Sequence, residues 1–231
     1  MASTVSVKYL GHSCFIISTP KAKLLIDPFL TGNPKAAAKA EDIQCDFILV
    51  SHAHSDHYGD AVAIAKRTEA TLIAVYELAL HAGAQGVKVE ALGCGGGKDF
   101  SFGRVQLTIA HHTSSVEGPS GLLMLGSPVG FLIQLEGKTI YFAGDTALTM
   151  DMQLLGERKQ IDLAMLPIGD HFTMGPEDAG EAVRLLRPKL AVPMHYNTFE
   201  AIQVDPGVFV REAGKHGYEV EVMQPGASIT L

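Results

Sequence analysis

The chain has 231 residues, 47% apolar and 19% charged, enough to bury a full core, and no segment has the composition of disorder. A formal charge of −7 without a large Lys/Arg cluster disfavours nucleic acid as a partner. Cys14, Cys45 and Cys94 lack CxxC spacing, and neither a basic leader nor an apolar run of roughly 20 residues is present, so a disulfide-free cytoplasmic protein without a membrane anchor is expected.

Val5, Val7 and Tyr9 alternate as in a half-buried strand, and CFIIS (14–18), KLLID (23–27) and FILVS (47–51) are compact apolar runs. Val62, Ile64 and Ala65 form a helical stripe over 60–67, TLIAVY (71–76) returns as a strand, and a short helix is expected over 78–84. GCGGGKD (93–99) lacks the GxxxxGK[ST] spacing of a phosphate loop and reads as a hairpin or flexible connection. FSFGRVQLTIA (100–110) alternates like a half-buried antiparallel sheet, and a glycine- and serine-rich segment over 113–128 follows.

VGFLIQL (129–135), an EGK turn and TIYFAGD (139–145) form a hairpin. Strand and helix then alternate: DLAMLPI (162–168), a helix from Pro176 to near Pro188, KLAVPMH (189–195), a helix over 208–215 and YEVEVM (218–223). Met150, Met152, Met165, Met174 and Met194 read as core filler. Hairpins mixed with strand–helix–strand units predict an α+β fold, a four-layer αββα sandwich of two mixed sheets forming one domain over 1–231. FILVSH, TIYFAGD and KLAVPMH each carry an apolar strand into a metal-capable side chain, and if those ends meet they define one site.

The densest cluster is SHAHSDH (51–57), where His52, His54, Asp56 and His57 have the spacing of a tight loop around a cation rather than of a helix face. HAHSDH resembles the HxHxDH motif of the metallo-β-lactamase superfamily of hydrolases. LLIDPF (24–29), AHHTSS (110–115), FAGDT (142–146) and PMHYNTF (193–199) fall in the order of that superfamily's remaining motifs, so the resemblance spans essentially the whole chain. GHSCF (11–15) and PMHYNTF are similar to the small metal-dependent hydrolases related to the ascorbate-6-phosphate lactonases.

The resemblance implies that His52, His54 and His112 hold one metal and Asp56, His57 and His195 a second, with Asp145 bridging. Imidazole and carboxylate donors with an open position are the pattern of catalytic coordination. Two divalent ions are expected, zinc first, with manganese and iron also compatible. Adjacent strand residues face opposite ways, so only one of His111 and His112 ligates. His112 is assigned because it directly precedes TSS, with His111 packed or hydrogen-bonded behind the site.

The resemblance gives Asp27 the task of accepting hydrogen bonds from the 52–57 loop and orienting its imidazoles. His12, in the glycine–histidine corner, and His171, in GDHFTMG, are candidates for proton donor or substrate contact, or for a structural role. His81 and His216 fall at helix ends, where a cation beside the last carbonyls explains them. The expected reaction is hydrolysis by a hydroxide shared between the metals, with Asp56 also accepting a hydrogen bond from it and the 113–128 segment and His171 loop as rim. A small lactone or ester is the expected substrate, anionic ones included. The alternatives are a phosphodiesterase of the same fold and a non-catalytic metal-binding or redox module. Homo-oligomerisation is left open.

Overall fold

The computed structural model describes residues 4–118 and 121–231. Its first sheet contains β1 (Ser6–Gly11), β2 (Cys14–Ser18), β3 (Lys23–Ile26), β4 (Phe47–Leu49), β5 (Thr71–Val75) and β6 (Val89–Leu92). The second contains β7 (Gly97–Phe100) and β8 (Gly103–Ile109), and a separate two-stranded hairpin, β9 (Ser115–Gly118) and β10 (Gly121–Met124), follows them. The second sheet continues with β11 (Val129–Leu135), β12 (Lys138–Phe142), β13 (Leu163–Pro167), β14 (Leu190–Met194) and β15 (Glu219–Val220). The final strand, β16 (Ser228–Thr230), returns to pair antiparallel with β1.

The sheets share one plan. Each has an antiparallel side, where short turns suffice, and a parallel side, where helical crossovers are required. Strands such as β13 are buried at every residue, as expected where both faces are covered. Phe15 of β2 meets Phe142 of β12 edge-on at 6.3 Å, one of many contacts in a continuous apolar core shared by both sheets.

The helices flank the sheets. Helices α2 (Ala61–Thr68) and α3 (Tyr76–Gly83) follow a single turn, α1 (Ser55–Tyr58), and pack on β4 to β6. Helix α4 (Asp151–Arg158) leans on α5 (Pro176–Leu186), which packs on β13 and against α6 (Pro206–Lys215). Pro176 and Pro206 stand at helix starts, where the missing N–H costs nothing, and the Asp205 side chain caps α6 by accepting the Gly207 N–H at 2.8 Å. The expected αββα sandwich of two mixed sheets is the observed fold. Among the described residues no helix is long and apolar enough to cross a membrane.

Several local expectations are corrected. The 100–110 stretch is antiparallel sheet as expected, with Phe100 ending β7 and Gly103–Ile109 forming β8, but the last residues of GCGGGKD, from Gly97, already belong to β7. The 113–128 segment carries β9 and β10, although Pro119 and Ser120 within it lie outside the described residues. YEVEVM contributes only two strand residues. Met150 is exposed, unlike the other four methionines named above. Helix α4 was not anticipated because Gly156 interrupts its apolar pattern. A Cβ there would sit 2.2 Å from Leu185 O, so glycine permits the close approach to α5.

Candidate metal centre

Four strands deliver side chains to one place. Asp27 follows β3, Ser51 and His52 follow β4, Asp145 follows β12 and His195 follows β14. Parallel strands leave their C-terminal ends on the same edge, and the groups gather there. His54 precedes α1, and Asp56 and His57 lie within it. The cluster is therefore not a loop throughout, because its second half is a helical turn.

The chain bends sharply at these ends. His12, Asp27 and His195 have φ of 59°, 43° and 55°, a region non-glycine residues seldom adopt. Gly144 has φ +64°, and a Cβ on it would fall 2.6 Å from Val129 O. Glycine thus lets the end of β12 lie against β11 and bring Asp145 into the cluster.

Asp145 Oδ2 is surrounded by imidazole Nε2 atoms: 2.9 Å to His195, 3.3 Å to His57, 3.7 Å to His112 and 4.0 Å to His52. The atoms of His52, His54 and His112 that could ligate a metal form one compact group, with His52 Nε2 and His54 Nδ1 3.0 Å apart. Asp56, His57, His195 and also His12 form a second. His52, His57, Asp145 and His195 are buried, while His54, Asp56 and His112 are half-buried. The structure brings together all seven residues expected to hold metal.

Asp27 sets the orientation of two of these rings. Its Oδ1 accepts the Ser51 backbone N–H at 2.8 Å, and its Oδ2 accepts the Ser51 hydroxyl at 2.5 Å and His57 Nδ1 at 2.7 Å. Since the Ser51 hydroxyl donates to Asp27, its oxygen accepts from His52 Nδ1 at 3.0 Å. The Nε2 atoms of both His52 and His57 therefore face the cluster, as metal-binding imidazoles held by a carboxylate do.

Burial opposes charge throughout the centre, and charged neighbours outweigh it at Asp56, His57, Asp145 and His195. Asp145 is held well below the usual carboxylate range, mainly by His195 and His57 overcoming the effect of burial. Asp56 is likewise held low, by His57 and by hydrogen bonds from His12 and His195. His57 is raised well above its ordinary value by Asp145, Asp56 and Asp27 despite burial, and His195 is pushed up to about 9, chiefly by Asp145. Burial lowers His52, His54 and His112, the group of three imidazoles.

The residues fit a cation. His57 Nε2 and Asp145 Oδ1 are buried without a hydrogen-bond partner among the described residues. Unsatisfied atoms of this kind, amid nitrogen and oxygen donors, are what divalent ions pair with. Cation binding at His57 and His195 would displace the protons their carboxylate neighbours favour.

His12 is buried at the edge of the cluster, with Nε2 3.2 Å from Asp56 Oδ2 and Nδ1 2.9 Å from Thr198 Oγ1. His111 is corrected: it is exposed, with Nε2 3.8 Å from Asp151, rather than packed behind the site. His171 is also exposed, its ring edge-on to Phe172 at 4.5 Å, and it joins neither group of metal-capable residues. His81 and His216 do lie at the ends of α3 and α6. Three hydroxyls were missed. Ser51 and Thr198 hold rings of the cluster, and Ser114 Oγ accepts the Ala53 N–H at 3.1 Å, tying the 52–57 segment to the hairpin side. Their signal was adjacency to histidine-bearing strand ends, which a serine or threonine shares with many ordinary turns.

A profile of the β-lactamase superfamily domain matches residues 6–195. The chain belongs to the metallo-β-lactamase superfamily. It is 49% identical over 232 residues to a UPF0173 metal-dependent hydrolase of Pelotomaculum thermopropionicum, covering 98% of this chain and 100% of the relative. A UPF0173 metal-dependent hydrolase of Bacillus cytotoxicus is 50% identical over 229 residues, with 98% and 100% covered. Among solved structures, Igni18, a metallo hydrolase from the archaeon Ignicoccus hospitalis, matches with a TM-score of 0.90 at 36% identity, covering 99% of this chain and 98% of that one. An isothiocyanate hydrolase from Delia radicum gut bacteria, at 20% identity and a TM-score of 0.78 over 98% of both chains, shares the fold. This chain is therefore a member of the UPF0173 metal-dependent hydrolases.

Proposed function

We propose that this UPF0173 member is a binuclear hydrolase of small lactones or esters. His52, His54 and His112 would hold one divalent cation, Asp56, His57 and His195 a second, and Asp145 would lie between them. The observation that carries this reading is the placement of Asp145 Oδ2 within 4.0 Å of four imidazole nitrogens drawn from both groups. Nitrogen and oxygen donors without thiolate are compatible with zinc, manganese and iron, and zinc is proposed first as the commonest metal of such sites.

Divalent cations bound there would lower the pKa of water to about 7 and polarise the electrophile. The chain's own groups supply the rest. Asp56, ionised and partly exposed, can accept a hydrogen bond from the attacking water. His12 holds Asp56 in place from the buried side. In ester hydrolysis the acyl C–O bond breaks as water gives its OH to the acyl carbon and its remaining proton to the departing alcohol. The preference for lactones or esters is supported by the likeness of GHSCF and PMHYNTF to the ascorbate-6-phosphate lactonase relatives. The chain is expected to act on small molecules in the cytoplasm.

The test is metal analysis of protein purified without added metal, followed by chromogenic lactones, esters and phosphodiesters. Two equivalents of metal with ester or lactone turnover support the proposal. Both metals bound with no turnover on any class would leave a binding module, and turnover confined to phosphodiesters would change the substrate class.

A further inference from the structure

The hairpin of β9 and β10 stands apart from both sheets, and its apolar residues are poorly covered: Leu122 is 73% and Met124 60% exposed. Exposed large apolar side chains beside a catalytic cluster ask for a partner. Leu122 lines a cavity of about 610 Å³, whose walls also include His54, Asp56, Tyr58, Val116 and Glu117. The cavity therefore runs from two metal-capable residues, His54 and Asp56, out to the hairpin. Leu122 and Glu117 are cross-strand partners, which puts their side chains on the same face. Among the described residues the lining contains two carboxylates, Asp56 and Glu117, and no lysine or arginine.

Charge and shape together select a class of substrate. A remote carboxylate or phosphate on the substrate would meet Glu117 without a cationic side chain to receive it, in a protein of formal charge −7. An alkyl chain would instead cover Leu122 and Tyr58 and displace water from them. The chemistry at the deep end is unchanged, because the scissile group lies beside His54 and Asp56 in either case.

We infer that the cavity between α1 and the β9–β10 hairpin is the acyl subsite, and that it selects substrates whose acyl group is uncharged and apolar. This rests on the hydrolase reading above and narrows it, setting aside the anionic substrates that the lactonase resemblance allowed. Leu122 is the specificity-determining residue and Glu117 the excluding charge.

The experiment compares 4-nitrophenyl acetate, butyrate and hexanoate with the mono-4-nitrophenyl ester of adipate, which matches hexanoate in length but ends in a carboxylate. On the metal-loaded enzyme, kcat/KM is expected to rise about fourfold per added methylene, the value for a buried CH₂. The adipate ester is expected at least tenfold below hexanoate. Leu122→Asp should flatten the chain-length slope, and Glu117→Lys should narrow the gap between hexanoate and adipate. A flat slope in the unmodified enzyme, adipate equal to hexanoate, or a slope untouched by Leu122→Asp overturns the inference.

Binding is read separately from turnover. The chain contains no tryptophan, so Leu122→Trp places the protein's one indole in the cavity, where it can be excited selectively over the tyrosines. Hexanamide is expected to shift its emission at lower concentration than adipamic acid, the charged monoamide of the same length. Where no ester is hydrolysed but hexanamide still binds preferentially, the hydrolase reading falls and the apolar subsite stands. Where neither amide shifts the emission, or the charged one binds better, the subsite is refuted whatever the enzyme hydrolyses.

Discussion

His12 Nε2 lies 3.2 Å from Asp56 Oδ2 while the other nitrogen of the same ring lies 2.9 Å from Thr198 Oγ1, so a hydroxyl behind the site acts on a carboxylate inside it. The single Thr198 hydroxyl proton has two acceptors, the Tyr196 carbonyl at 3.4 Å and the nearer His12 Nδ1, and donation to Nδ1 leaves the ring proton on Nε2, where it donates to Asp56. Thr198→Val removes that donor and frees the ring to take the wrong tautomer. The expected loss is about 10- to 100-fold in kcat or metal affinity, the range for groups that orient metal ligands. Thr198→Ser should restore most of it, which a purely packing role would not predict, and kinetics with metal titration on the three proteins decides.

Asp27 serves Ser51 and, directly or through it, the rings of His52 and His57. Asp27→Ala leaves these buried groups without their acceptor, and stability should fall by about 3–5 kcal/mol, the cost of halving a buried ion pair. Denaturant unfolding measures it. Retention of both metals and full stability would remove Asp27 from the account.

Neighbouring histidines should behave oppositely. His111 is exposed, so His111→Ala should change stability by less than about 0.5 kcal/mol and leave metal content intact. His112→Ala removes one of three converging imidazoles and should lose one metal equivalent. Elemental analysis of the two variants checks the assignment, and the reverse pattern would transfer the ligand role to His111.

A chelator should lower the melting temperature. Cations present at about 1,000 times their dissociation constant stabilise by about 4 kcal/mol per site. In a chain of this size that corresponds to a shift of roughly 8–16 °C. Scans with and without chelator, followed by re-addition of zinc, manganese or iron, measure the shift and rank the metals.

What could be read from the residues was set by periodicity and by unusual local density. Apolar runs ending in His52, Asp145 and His195 are visible because a buried strand needs continuous apolar residues and a ligand needs the position just beyond. The alternation of His111 and His112 across a strand end was legible for the same reason. Helix α4 was hidden, since Gly156 looks like a breaker until Leu185 is seen against it. The β9–β10 hairpin was hidden by its glycines and serines, and the roles of Ser51 and Thr198 by the commonness of hydroxyls in turns. The half-helical form of the 52–57 segment follows from packing that spacing alone does not report.

Because the cluster draws its groups from strand ends of both sheets, its parts are made in a definite order along the chain. Synthesis releases the 52–57 histidines early, Asp145 much later and His195 near the end of the chain. An ion caught by the nascent polypeptide would find only a fragment of its cage. Metal loading is therefore expected to be a single event that follows the pairing of both sheets.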